Sequence, residues 1–197
     1  MFKVLSFIII FSIHTFCNVI VKPISNFIAI KISEFNEDFS SIKSLERIQV
    51  INKNEPLNLI IDLRNNSGGN LFKALEFSAL FVTENALIKL KSDTKSTTIT
   101  KPKHLPFIKT ERLLILINAH TASAAEAAAH VLLQNTNAIS IGRNTMGKST
   151  ITSESANNQE YTMFILPNHH ISPDIFHKFN PDNDLETQYL NAIKLSH

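Results

Sequence analysis

Two residues 25 positions apart, Ser123 and Lys148, carry the clearest potential for chemistry in this chain of 197 residues. Lys148 lies in GRNTMGKS (142–149), which spells G-x-x-x-x-G-K-S, the pattern of a phosphate-cradling loop. Such a loop works between a strand and a helix whose N-terminal amides meet the phosphates. The strand is there as AISI (138–141), but the residues after the lysine are STITSESANNQEY (149–161). That stretch is rich in β-branched and small polar residues and has no 3.6-residue period. No later apolar strand ends in an aspartate that could hold magnesium, and only 49 residues come after Lys148. No nucleotide is expected, and Lys148 needs another role.

Ser123 lies in NAHTASAAEAAAH (118–130), after an apolar run and a small-residue turn, where an Ala-rich helix opens. Backbone N–H groups at a helix start lack intrahelical partners and favour negative charge nearby. An oxyanion formed on a nucleophilic serine needs that environment. The same residues also spell S-x-x-E, Ser123 to Glu126, an ordinary capping box. This stretch alone leaves both roles open. Upstream, DLRNNSGG (62–69) ends an apolar strand with Gly68 and Gly69, either a plain turn or a place where backbone comes close to a ligand.

The elements that must position these residues are set by periodicity. NFIAIKISEF (26–35) alternates as a strand does, and 36–52 places Phe39, Ile42, Leu45 and Ile48 at helical spacing. LNLIIDLR (57–64) and RLLILIN (112–118) read as buried parallel strands. Helices are expected over 70–82, 122–135 and 182–193, a hairpin over 86–92 and 96–100, and strands over 138–142 and 160–167. Strands alternating with helices predict an α/β domain.

Composition narrows the classes further. Hydrophobic residues make up 44%, so the chain should fold. The net charge is +2, with no basic stripe interleaved with aromatics, so no nucleic acid is expected as a partner. Cys17 is the single cysteine, which rules out an intramolecular disulfide and a Cys-based zinc site. The N-terminal run MFKVLSFIIIFSIHTFCNVIVKP has an apolar centre suited to a signal peptide and a length that just reaches across a membrane if tilted. Residues 1–22 are therefore expected as a signal peptide or membrane anchor, and 23–197 as the folded domain, exported to the periplasm or cell envelope or held at a membrane.

LIIDLRNNSGG (59–69), LILINAHTASAAEAAAHVLLQN (114–135) and IGRNTMGKST (141–150) together resemble the signatures of the C-terminal processing peptidases, or tail-specific serine proteases. NFIAIKISEF, HISPDI (170–175) and DLETQYLNAI (184–193) resemble further segments of the same catalytic domain. The resemblance covers about residues 26–193. It implies a crotonase-like (ClpP/crotonase-type) fold and a serine endopeptidase acting on unstructured or C-terminal protein segments, with no cofactor and no metal. By that resemblance Ser123 is the nucleophile, Lys148 the general base, and amides of Gly68 or Gly69 and of Ala124 the oxyanion hole. The base role asks for a neutral amine, and the AISI strand and the Ala-rich helix are expected to supply a dry wall around it. Where the family often has a glutamine orienting the lysine, four residues on, this chain has Thr152. The peptide-capturing PDZ domain usual in the family is not seen, so substrate recognition is absent, simplified or lent by a partner. The alternatives are a catalytically decayed or non-catalytic module binding a peptide or apolar ligand on the same fold, and an acyl-transferring enzyme of the wider fold group.

The remaining candidates have ordinary roles. His104, His120, His130, His169, His170 and His177 show no metal-ligand spacing, and Asp62 and Arg64 are expected to brace the turn after their strand.

Overall fold

The computed structural model describes residues 19–51, 57–91, 96–148, 150–154, 160–164 and 170–197. Strand β1 (Val19–Ile24) turns at Ser25 into the antiparallel β2 (Phe27–Ile32), which leads to helix α1 (Ser41–Ile51). Then come β3 (Leu57–Asp62), α2 (Leu71–Ala79), the hairpin β4 (Ala86–Lys91) and β5 (Ser96–Thr100), and β6 (Thr110–Ile117). Helix α3 (Ala124–Asn135) leads to β7 (Ile139–Gly142), the antiparallel pair β8 (Thr150–Glu154) and β9 (Glu160–Phe164), β10 (Ile175–Phe176) and α4 (Leu185–Leu195).

Six strands form one sheet in the order β1-β2-β3-β6-β7-β10, parallel from β2 onward. Alternate residues of β3 and β6 point to opposite faces, and both faces are covered. Leu59, Ile61, Leu113, Ile115 and Ile117 meet the helices α2 and α3, whereas Ile60, Leu114 and Leu116 meet Tyr189 and Ala192 of α4. Burial on both faces is why these strands read as unbroken apolar runs. A second, antiparallel sheet has the order β5-β4-β9-β8.

The expected α/β class is the one found, and one element boundary differs. The helix after β2 begins at Ser41 rather than at residue 36, because Phe35 stays extended and forms a parallel bridge with Gly69. Strand β1 begins at Val19, inside the segment expected as leader or anchor; residues 1–18 lie outside the described ones, and no helix among the described residues is long and apolar enough to cross a membrane. After Lys148 the chain enters strand β8, in line with the expectation that the helix a phosphate loop requires does not follow.

Parallel α/β sheets gather ligands beyond the carboxyl ends of their strands. Here that edge collects the chain after β2, the glycine turn after β3, the Ser123 turn after β6 and the Lys148 loop after β7.

Candidate active site

Ser123 joins β6 to α3 with φ 53° and ψ −121°. A helix-capping serine normally has extended backbone angles. Positive φ is uncommon for a residue with a side chain and costs on the order of 1–3 kcal/mol, so the surroundings must hold it. They do so from both sides. The Ala122 N–H donates to the Asn66 carbonyl at 2.9 Å, and the Ser123 N–H donates to Glu126 Oε2 at 3.0 Å. The arrangement is that of a capping box, with no well-formed side-chain cap bond to the Ser123 hydroxyl.

The glycine turn packs directly against this serine. A Cβ on Gly68, at φ 111°, would lie 2.9 Å from Ser123 Cβ and 3.0 Å from the Ala124 nitrogen. A Cβ on Gly69 would run into the Phe35 carbonyl. Gly68 donates its N–H to Asn66 Oδ1 at 2.9 Å, so that amide is already engaged. The N–H groups of Gly69 and Ala124 donate no hydrogen bond among the described residues.

Three loops are sewn together here by small polar side chains. Buried Asn66 donates from Nδ2 to the Ile32 carbonyl at 3.0 Å, tying the glycine turn to β2. The Thr121 hydroxyl donates to the Leu63 carbonyl at 2.9 Å, and the Met146 N–H donates to the Thr121 carbonyl at 2.9 Å. Asn118 accepts from the Asn65 N–H at 3.0 Å and returns a bond from Nδ2 to Asn65 Oδ1 at 2.8 Å. Glu126 is fully buried, and its second oxygen accepts from the Gly147 N–H at 2.8 Å. One carboxylate thus holds the amides of Ser123 and of the residue before Lys148. Asn66, Asn118 and this second bond of Glu126 escaped sequence reasoning. Each joins segments distant in the chain, and a turn asparagine carries no mark of its partner.

Lys148 itself is exposed, and its amine makes no hydrogen bond among the described residues. The dry wall expected from the AISI strand and the Ala-rich helix is not formed. The alanines of α3 face the core against α2 and the sheet, and Ile141 packs on the opposite face with Leu116 and Tyr189. Thr152 lies on β8 opposite Thr162, its side chain outside the described set.

The family model described as Peptidase family S41 matches residues 26–182, which hold Ser123, Lys148 and the glycine turn. The chain belongs to peptidase family S41. It is 32% identical over 93 residues to the tail-specific protease of Haemophilus influenzae, covering 47% of this chain and 13% of that protein. It is 31% identical over 125 residues to the chloroplastic carboxyl-terminal-processing peptidase 2 of Arabidopsis thaliana, covering 63% of this chain and 24% of that protein. The chain therefore spans a quarter or less of the length of these relatives. Among solved structures, the photosystem II D1 C-terminal processing protease superposes with a TM-score of 0.68 at 19% identity, covering 91% of this chain and 52% of that one, a likeness of fold.

Behind the glycine turn of this S41 chain lies a buried ion pair. Arg64 Nε and Nη2 donate to the two oxygens of Asp62 at 2.8 and 2.7 Å, and Asp62 Oδ1 also takes the Arg64 backbone N–H at 3.0 Å. Burial opposes ionisation of Asp62, but the hydrogen bonds and charge of Arg64, with the charge of Lys31, together outweigh it and hold the carboxyl below its ordinary range. Burial likewise opposes the Arg64 charge, and Asp62 more than restores it. The expected bracing role of this pair agrees with these contacts, which lie within the structure rather than at an open surface.

Proposed function

We propose that this chain hydrolyses peptide bonds, with Ser123 as nucleophile and Lys148 as general base. The observation that carries this is the backbone of Ser123, held at positive φ against Gly68 with the neighbouring Ala124 amide unengaged among the described residues. A serine needed only as a cap has no use for that conformation, whereas a nucleophile presented on a sharp strand-to-helix turn does.

In this reading the Ser123 hydroxyl oxygen attacks the scissile carbonyl carbon while its proton passes to the Lys148 amine. The carbonyl oxygen takes the negative charge and is met by the N–H groups of Ala124 and Gly69. Gly68 supplies the close approach, its own amide being held by Asn66. The protonated lysine then gives its proton to the departing amine as the C–N bond breaks, and a water molecule releases the acyl group by the reverse order of steps. A lysine accepts a proton only in its neutral form, which loss of hydration favours. With Lys148 exposed, the bound peptide is the element that removes water from it. Thr152, four residues on, is the residue proposed to orient the amine. The substrates proposed are unstructured or C-terminal protein segments, met by an exported or membrane-held enzyme, with recognition built into this domain or lent by a partner.

The test is turnover of an unfolded protein substrate by the wild type and by Ser123→Ala and Lys148→Ala, from pH 6 to 10. Wild-type activity should rise with deprotonation of the base, and both variants should lose turnover while melting as the wild type does. Ser123→Ala cleaving at the wild-type rate would reject the assignment. Wild-type binding of the substrate without turnover would establish the non-catalytic module instead.

A further inference from the structure

We infer that Gln188 and Tyr189 of α4 are positioning residues for the glycine turn that faces Ser123. This rests on the Ser-Lys reading above.

Helix α4 has enough apolar surface to dock on the sheet without them: Leu185, Ala192 and Ile193 all belong to that contact. Yet its face also carries two polar groups into the buried ion pair. Tyr189 donates from Oη to Asp62 Oδ2 at 3.1 Å, and Gln188 Oε1 accepts from Arg64 Nη1 at 2.7 Å. Both partners are more than 120 residues away in the chain. Taking polar groups out of water costs free energy unless every partner is met, and a half-satisfied buried network is worse than an apolar contact. A helix selected for docking alone would carry apolar residues at these two places.

What the two groups fix is the start of the turn. With Gln188 on Nη1 and Asp62 on the other two nitrogens, the guanidinium of Arg64 is held in one orientation, stacked 4.4 Å from the Phe179 ring centroid. Asp62 in turn holds the Arg64 backbone N–H. From there only one residue, Asn65 at φ 63°, separates Arg64 from Asn66. The carbonyl of Asn66 binds the Ala122 amide and its side chain binds the Gly68 amide. A path of hydrogen bonds and the short backbone step through Asn65 therefore runs from the Tyr189 hydroxyl to the residue before Ser123, and the Gly69 amide lies at the end of the turn that it anchors.

The test uses Tyr189→Phe, which keeps the ring and removes the hydroxyl, and Gln188→Leu, which removes the acceptor. Turnover of a peptide substrate is measured together with affinity for a peptide boronate, whose tetrahedral adduct places an oxygen where the oxyanion forms, and for the matching peptide amide. A misplacement of about 1 Å costs up to about a hundredfold in rate. Each variant should lose about tenfold to a hundredfold in kcat with KM little changed, and boronate affinity should fall by the same factor while peptide amide affinity holds. Unchanged kcat and boronate affinity in both variants, with an active wild type, would overturn this inference and leave the Ser-Lys reading standing. Parallel losses of boronate and amide affinity that track the melting temperature, or failure of both variants to fold, would assign the network to stability alone and overturn it too. A wild type without turnover or boronate affinity would remove the reading and the inference together.

Discussion

Gly68 and Ser123 define each other's position. The serine backbone takes a conformation that side chains disfavour, and the turn residue packed against its Cβ has no room for a Cβ of its own. Gly68→Ala would add a methyl 2.9 Å from Ser123 Cβ, at a φ of 111° where the alanine is strained as well. The turn cannot simply retreat, because Asn66 fastens it to Ala122 and to β2. The strain is on the order of 1–3 kcal/mol, so the domain should still fold with a lowered melting temperature. Peptidase activity should fall by about a hundredfold or more, since the serine itself is displaced. Labelling of Ser123 by a fluorophosphonate, set beside the thermal melt, checks both halves: normal labelling in a folded Gly68→Ala variant would show that the contact does not position the serine. Much at this scale was legible in the sequence. A serine opening an Ala-rich helix, paired glycines after an apolar strand and a lysine at a set distance are visible as residue types. Asn66 was not, because its two tasks depend on where Ile32 and Gly68 lie in space.

The Ser123 turn and the Lys148 loop belong to different elements, and the Glu126 carboxylate bridges them beside the Met146–Thr121 backbone bond. Glu126, in the first turn of α3, sits where the unpaired amides and dipole of the helix favour a negative charge. It is buried, and its two oxygens take the Ser123 and Gly147 amides. In Glu126→Gln one oxygen would become an NH2 group facing an N–H. Hydrogen bonds to charged groups contribute about 1.5–3 kcal/mol, so loss of stability should lie near that range. The catalytic loss should be larger, at least tenfold in kcat, because the loop carrying Lys148 is then held to the Ser123 turn mainly by the Met146 N–H on the Thr121 carbonyl and loses its fixed distance from the serine. Thermal melts and steady-state kinetics on the one variant compare the two effects; a kcat loss no larger than the melting shift accounts for would make Glu126 a plain cap. The elements were read well where period and burial agreed, as in β3 and β6. They were read less well where tertiary contacts set the boundary. Phe35 was assigned to a strand end and the next residues to a helix, but pairing with Gly69 keeps this stretch extended until Ser41. The dry wall expected around Lys148 failed for a related reason: alanines that line a helix in sequence do not reveal which neighbour they face.

At the scale of the molecule, the sheet is an apolar slab covered on both sides, and ionisable groups in it and on the helices packed against it make stability depend on pH. Asp62 is held below its ordinary carboxyl range against the opposing effect of burial, chiefly by Arg64 with help from Lys31. A group whose folded pKa is depressed adds stability above its unfolded pKa, near 3.9 for aspartate, and that stability disappears as pH falls through the folded value. His130, on α3, is pushed below its ordinary value by burial. The unfolded chain therefore takes up that proton first, and stability falls once pH drops below about 6.5, by at most about 1.4 kcal/mol per pH unit for one proton. Tyr189 is pushed well above its ordinary value by burial, with the Asp62 charge adding to it, so the unfolded chain loses that proton first and stability falls again above about pH 10. Melting temperature against pH should show a plateau between about 6.5 and 10 with a shallow decline on the acid side that steepens below about 4. His130→Gln should flatten the first acid step and leave the second. Retention of the full step near 6.5 in that variant would transfer it to another group, and a flat profile down to pH 3 would show that Asp62 and Arg64 do not hold the fold as a charged pair.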